Sequence, residues 1–164
     1  MIPASNREDL RSAAGARDAD AVIAETLEHA AVRRAFAALD EDGDRITREL
    51  VEICEIEAPP FGEDARGRRV AAGFEAAGLA DVRRDEVGNV IGVLPGRVAD
   101  ACVVLSAHLD TIFPAGTDCR VRFEDGRLAA PGIADDSVGL AALLAVARAL
   151  VAGRVRTRQS VVFL

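Results

Sequence analysis

The sequence predicts an α/β fold in which helices come first and a largely buried sheet follows. In the first half apolar residues recur at helical spacing, and from Val82 onward the period changes to two. The run 101–107 is almost continuously apolar, as in strands that are covered on both faces. An apolar helix over 138–151 and a strand at 160–164 complete a strand–helix–strand unit, which is typical of sheets with parallel strands.

The helical half divides into three predicted helices. The first covers 19–39, the second runs from 46 to 54 and stops before two prolines, and the third covers about 63–77 with Gly78 as its C-cap. Residues 1–17 show no apolar period and are expected to form a loose tail.

Turn residues divide the second half into short strands. Strands are expected over 82–85 and 89–94, on either side of Glu86-Val87-Gly88. A hairpin is expected to pair 121–123 with 127–129 around Asp125-Gly126, a dipeptide that favours tight hairpin turns.

Charge, hydropathy and cysteine content argue against several classes of function and location. The formal net charge of −7 argues against a nucleic-acid-binding surface, which needs clustered positive charge. The longest apolar stretch, 138–147, is too short to span a bilayer, so no membrane partner is expected. Three widely spaced cysteines without a CxxC motif indicate a reducing compartment and a cytoplasmic location. Cys102, in the apolar run 101–107, is expected to be a core residue.

The first candidate site is Ser106-Ala107-His108-Leu109-Asp110-Thr111, directly after the predicted buried strand. In an extended chain His108 and Asp110 point to the same side. A carboxylate beside a histidine can orient the imidazole and raise its basicity, which is what a metal site requires. The structural alternative is a histidine at a strand end that a local aspartate satisfies, and the H-x-D pattern alone favours this alternative.

The second candidate site is the pair Asp135-Asp136, which lies between a glycine turn and the apolar helix. Capping of that helix by Asp136 or Ser137 explains one aspartate. It does not explain two, because adjacent carboxylates repel each other and a divalent cation relieves that repulsion.

These segments together resemble the co-catalytic zinc exopeptidase and deacylase family. The family includes glutamate carboxypeptidase, peptidase T, acetylornithine deacetylase and succinyl-diaminopimelate desuccinylase. "SAHLDT" and "GRLAAPGIADDSVGLAALLAVARAL" carry the resemblance, and "ITRELVEICEIEAPPFGED" and "FEAAGLADVRRDEVGNVIGVLPG" support it upstream. The match covers about residues 44–164, and the segments follow in the family's order and spacing.

The resemblance implies a role for each matching residue. His108 would bind one of two divalent metal ions, zinc in the first place, with cobalt or manganese as alternatives. Asp110 would hold His108 without binding the metal, and Asp135 would bridge both ions. Asp136 would follow Asp135 across a non-proline cis peptide bond.

The resemblance also implies a fold and an activity. The fold would be the three-layer, phosphorylase/hydrolase-like catalytic domain with a mostly parallel mixed sheet, of which this chain holds the N-terminal portion. The intact parent, a homodimer in some family members, would hydrolyse amide bonds in small peptides or N-acyl amino acids, with a metal-activated water as nucleophile. The family's general-base glutamate does not occur in this chain, since 137–164 contain no Asp, Glu or His.

The expected organisation is an N-terminal tail and extra helix over 1–43, followed by an incomplete catalytic domain over 44–164 without a lid or dimerisation domain. The chain is therefore expected to be a fragment that is inactive alone. Two alternatives stay open. One is a single-domain zinc aminopeptidase, which shares the H-x-D and Asp-Asp features; the other is a non-catalytic remnant that serves as a binding module.

Overall fold

The computed structural model describes residues 18–164, apart from the side chains of residues 99 and 100, so the expected tail 1–17 lies outside the described chain. Five α-helices and six strands are assigned in it. The helices are α1 (Ala19–Glu28), α2 (Ala30–Glu41), α3 (Gly43–Cys54), α4 (Asp64–Ala77) and α5 (Val138–Ala152). The strands are β1 (Ala80–Arg84), β2 (Val90–Leu94), β3 (Val98–Leu105), β4 (Arg122–Glu124), β5 (Arg127–Ala129) and β6 (Gln159–Phe163).

The prediction of a single helix over 19–39 is wrong, because the helix is interrupted at His29. This residue has an extended backbone, with φ −65° and ψ 127°, and its Nδ1 accepts a hydrogen bond from the Ala31 amide at 3.3 Å. His29 is therefore the N-cap of α2 rather than a residue inside one long helix. The apolar spacing continues across the break, so periodicity alone could not locate it.

The strands form a four-stranded sheet in the order β1-β2-β6-β3 and a separate hairpin of β4 and β5. β2 pairs antiparallel with β1 and with β6, whereas β3 pairs parallel with β6. The register places Leu105 opposite Phe163. Because parallel strands run the same way, β3 and β6 reach the same edge of the sheet with their carboxyl ends.

The expectation that the strand at 101–107 is buried on both faces is wrong. β3 lies at one end of the sheet, and Val103 and Val104 are 47% and 51% exposed although they point to opposite faces. Within residues 18–164, β6 is the only element that contacts β3 extensively. The expected core position of Cys102 is wrong for the same reason, since its side chain is exposed.

The core lies between α3, α4, α5 and the inner strands. Phe74 of α4 and Phe163 of β6 form a tilted aromatic pair with ring centroids 5.9 Å apart. The other fully buried members of this cluster include Ile53, Leu140, Leu144 and Ala147. The apolar helix α5 is covered by α2, α3 and α4, which accounts for its lack of a polar face.

A buried ion-pair network joins α5 to the turn between α2 and α3. Arg148 lies 2.7 Å from a carboxylate oxygen of Asp42 and 2.7 Å from one of Glu49. The Glu49 and Arg148 side chains are only 7% and 10% exposed, and each charge has more than one partner: Asp42 also pairs with Arg148, and Arg45 and Arg69 also pair with Glu49. No helix in the described chain has the length and hydropathy of a bilayer-spanning segment.

Candidate metal centre

His108 lies just beyond the carboxyl end of β3. Backbone pairing continues past the strand, since the Ala107 amide donates to the Leu164 carbonyl at 3.0 Å and the Leu164 amide donates to Leu105 at 2.9 Å. The carboxyl edge of strands in an open α/β sheet is where ligands usually bind. The regular ladder therefore presents His108 at an edge suited to a binding site.

Two aspartates contact the two nitrogens of the His108 ring. Nδ1 lies 2.9 Å from the Asp110 carbonyl oxygen and 3.2 Å from its Oδ1, and Nε2 lies 2.8 Å from Asp135 Oδ1. Both contacts are with acceptor oxygens, so the protonated imidazole donates through both nitrogens, and a ligand bound at Nε2 would take the place of the proton there. Half of the His108 side chain and most of Asp135 are exposed, so a small ligand can reach them.

Competing effects act on the His108 ring. Partial burial lowers the pKa of the imidazole. The hydrogen bonds with Asp135 and the Asp110 carbonyl, together with the charges of Asp110 and Asp136, raise it by more. The pKa of His108 therefore lies above the ordinary histidine value.

A distorted turn over Ile133–Ser137 brings Asp135 to His108. The peptide bond between Asp135 and Asp136 is cis, and both residues have non-helical backbone angles. Gly132 enters the turn with φ +76°, and a Cβ there would lie 2.9 Å from Thr111 Cγ2. Only glycine combines this backbone conformation with so close an approach to the segment after His108.

The two adjacent aspartates have different contacts. Asp136 Oδ1 accepts a hydrogen bond from the Gly139 amide at 3.1 Å, so Asp136 caps the start of α5. Asp135 instead points to His108. The structure thus brings His108, Asp110 and Asp135 together, while capping accounts for the contact of Asp136.

Replacing Gly139 with alanine is expected to displace the Asp136 carboxylate. A Cβ at this position would lie 2.5 Å from Asp136 Oδ2 and closer still to Oδ1. We expect Gly139→Ala to lower the free energy of unfolding by about 2 kcal/mol, from steric displacement and loss of the cap. Urea denaturation of Gly139→Ala, Asp136→Ala and the double variant measures the coupling. If the glycine acts through Asp136, Gly139→Ala costs little in the Asp136→Ala background; an equal cost in both backgrounds contradicts this account.

An open groove of about 950 Å³ adjoins these residues. His108, Asp110 and Asp136 lie on its lining, with Arg84 from the end of β1 and the exposed Phe61 from the loop before α4. Further carboxylates line the groove: Glu63, Asp64, Asp85 and Glu86. The groove is large enough for a small organic substrate.

Arg66 was not among the residues predicted for the site; its side chain is fully buried against the His108 segment. Its guanidinium donates to the backbone carbonyls of Cys54, Ile56 and Leu109. Burial lowers the pKa of Arg66, and the nearby thiols and Asp110 oppose that effect. A sequence signal existed, because Arg66 lies four residues before Val70 and eight before Phe74, on the inward face of α4.

Two of the three cysteine thiols are buried near this site. Cys54 and Cys119 are 0% and 7% exposed, and burial raises the pKa of both thiols.

We expect a thiol-specific disulfide reagent at pH 8 to modify Cys102 rapidly. Cys54 and Cys119 should react only as slowly as the fold opens. Mass spectrometry of the time course checks this, with Cys102→Ser as the variant that loses the fast phase. Rapid modification of two or three thiols in the native protein would contradict it.

The donor set at His108 fits part of a metal site. Imidazole nitrogen and carboxylate oxygen are zinc ligands, and a second contact on Nδ1 is the usual support of a ligating histidine. Within residues 18–164, however, no three His, Cys, Asp or Glu side chains are grouped so that they could hold one ion. His108 and Asp135 therefore supply two donors, fewer than the three protein ligands of a catalytic zinc.

Comparison with known proteins gives a family match over part of the chain. Residues 89–164 match the model of peptidase family M28, a span that includes β3, His108, both aspartates and α5. No curated protein matches the sequence.

Solved structures match most of the described chain. Aminopeptidase PepT from Bacillus cereus superimposes with a TM-score of 0.62 at 22% identity, over 73% of this chain and 35% of that one. The dipeptidase Dug1p from Saccharomyces cerevisiae has a TM-score of 0.62 at 14% identity, over 80% and 33%. Aminoacylhistidine dipeptidase from Vibrio alginolyticus has a TM-score of 0.52 at 25% identity, over 72% and 26%. The chain thus spans about a third or less of these structures.

Proposed function

We propose that the whole protein is a metal-dependent hydrolase of amide bonds in small peptides or N-acyl amino acids. The matches confirm the predicted resemblance to the N-terminal part of co-catalytic zinc exopeptidases and the α/β fold that it implies, and these support the proposal. One observation carries the proposal: His108 Nε2 meets Asp135 Oδ1 at 2.8 Å at the carboxyl edge of the sheet. The opposite nitrogen of the ring is held by Asp110 at the same time.

Each of four residues at the site has a defined task in this proposal. His108 offers Nε2 as a ligand, Asp110 fixes the ring through Nδ1, and Asp135 offers two oxygens that can serve two ions. Two divalent ions, zinc in the first place, would supply the Lewis acidity that activates a water and polarises the scissile carbonyl. Asp136 keeps the turn in register with α5 through Gly139.

We further propose that residues 1–164 do not turn over substrate alone. The two donors at His108 and Asp135 are too few for a catalytic ion. A general base is also required to move the proton from water to the leaving amine. Residues 137–164 contain no Asp, Glu or His that could perform this transfer.

The substrate class rests on the comparisons. An aminopeptidase, a tripeptidase and two dipeptidases share the fold, which favours short peptides over N-acyl amino acids as substrates to test first. Each covers 72% or more of this chain, so the shared fold extends upstream of residue 89, where the family match begins. We also propose a cytoplasmic location, on the evidence of three free cysteines, and a homodimeric parent by resemblance.

Amino-acid release by the full-length protein tests the proposal. A panel of dipeptides, tripeptides and N-acetyl amino acids is incubated with the protein after chelation by EDTA and after addition of Zn²⁺, Co²⁺ or Mn²⁺. We expect turnover of at least one class, loss of turnover on chelation and its recovery with metal. Peptide binding without turnover under every metal condition would instead assign a binding module, and the absence of both would overturn the proposal.

A further inference from the structure

Arg66 is the largest fully buried polar side chain in the described chain, and its hydrogen bonds show what it holds. Nε and Nη2 donate to the Ile56 carbonyl at 3.1 and 2.6 Å, and Nη2 also donates to Cys54 at 3.4 Å. Nη1 donates to the Leu109 carbonyl at 3.1 Å. All four hydrogen bonds go to backbone carbonyls, so the guanidinium joins two chain segments that are distant in sequence.

Leu109 lies in the chain between His108 and Asp110, two of the three residues that form the candidate site. Its carbonyl belongs to the peptide group that connects Leu109 to Asp110, so the hydrogen bond from Arg66 fixes the plane of that group. The direction of the Asp110 carbonyl and carboxylate, which hold His108 Nδ1, follows from the same backbone. A change of orientation at Leu109 would therefore rotate the imidazole away from Asp135.

Residues 55–58, which follow α3 and are called here the α3–α4 loop, hold the other side of the same segment. The Thr111 amide donates to the Ala58 carbonyl at 2.8 Å, and Thr111 Oγ1 donates to it at 3.3 Å. Glu57 of the same loop accepts a hydrogen bond from the Gly116 amide at 3.0 Å. Because Arg66 binds the beginning of this loop and Leu109 together, it sets the distance between the loop and the His108 segment.

We propose that Arg66 is a positioning residue of the metal centre, which acts on His108 through the Leu109 carbonyl. The inference rests on the proposed function, since it presupposes that His108 is a ligand. A buried guanidinium is the group suited to this task, because its planar fork directs several donors at fixed angles. Lysine keeps the charge but has a single ammonium, which cannot reach three carbonyls on two segments with the same geometry.

Co²⁺ binding by the full-length protein, followed by visible absorption and titration calorimetry, tests the proposal without an activity assay. The variants are Arg66→Lys and Arg66→Met. Arg68→Met, on the exposed side of the same helix, controls for loss of a positive charge. Phe74→Leu, a buried change in the same helix, controls for a general loss of stability, which circular dichroism during thermal unfolding measures for every variant.

We expect both Arg66 variants to bind Co²⁺ at least tenfold more weakly with an altered absorption spectrum. Both controls should stay within twofold of the parent. Folded Arg66 variants with unchanged affinity and spectrum would overturn the proposal. Loss of the entire fold in both Arg66 variants would overturn it as well, because Arg66 would then serve the domain as a whole. If His108→Ala weakens Co²⁺ binding and the Arg66 variants do not, only the role of Arg66 fails; if His108→Ala leaves Co²⁺ binding unchanged, the proposed function fails and the role of Arg66 fails with it.

Discussion

Replacing His108 with alanine is expected to lower the proposed amide-bond hydrolysis by the full-length protein at least about a thousandfold, which corresponds to several kcal/mol of transition-state stabilisation. The variant removes the nitrogen that lies 2.8 Å from Asp135 Oδ1. It does so at a half-exposed side chain, so the fold should persist. Measurement of kcat/KM with saturating Zn²⁺, next to a thermal unfolding curve, separates the loss of chemistry from a loss of structure.

Two further variants test whether the loss of activity is specific to the site around His108. Asp110→Asn keeps the shape but weakens the support of Nδ1, and it should cost about 10- to 100-fold in metal affinity or activity. His29→Asn removes the second histidine of the described chain while keeping an N-cap acceptor for α2, and it should leave kcat/KM within twofold. Equal activity of His108→Ala and the parent protein would remove His108 from the site.

Replacing Gly96, in the connection between β2 and β3, with alanine is expected to destabilise the sheet strongly. A Cβ at Gly96 would lie 2.5 Å from both the Gln159 carbonyl oxygen and the Ser160 nitrogen, which are backbone atoms at the start of β6. Backbone cannot move aside as the end of a flexible side chain can. We expect a loss of about 3 kcal/mol or more in the free energy of unfolding, as for severe overpacking.

Urea denaturation of Gly96→Ala beside Gly43→Ala measures this effect. Gly43 lies in the first turn of α3, and a Cβ added there would have no atom within 4 Å, so alanine should be neutral or stabilise by up to about 1 kcal/mol. The Gly96 amide also donates to Ser160 Oγ at 3.1 Å, which the clash would disturb. A loss below about 1 kcal/mol at Gly96 would show that β2 and β6 can separate at little cost.

Local signals allowed the prediction of many elements from the sequence. Gly78 placed the end of α4, since glycine accepts the left-handed C-cap with φ +86°. The proline pair excluded a continuation of α3 through residues 59 and 60, although the helix ends earlier, at Cys54. The Asp125-Gly126 hairpin is confirmed, with positive φ at both turn residues. The spacing of His108 and Asp110 placed both on one side of the chain, and the structure has both next to each other.

The features that could not be predicted from the sequence depend on contacts between distant residues. An apolar strand has the same composition in the centre and at the edge of a sheet, so the exposure of Val103 could not be foreseen. The partner of each aspartate in the Asp135-Asp136 pair is decided by the turn around Gly132 and by Gly139. Arg66 was missed because a buried cation on an inward helix face contradicts the usual pattern, and its carbonyl partners are 10 to 43 residues away.

The position of β3 has a consequence for the handling of the protein. An edge strand presents backbone N–H and C=O groups that can pair with a strand of another molecule. In the described chain the segment from Cys102 to Leu105 carries no charge and no proline that would oppose such pairing, and its two central valines are half exposed. The solubility of any polypeptide that contains β3 therefore depends on what covers this edge, and its self-association should increase with concentration.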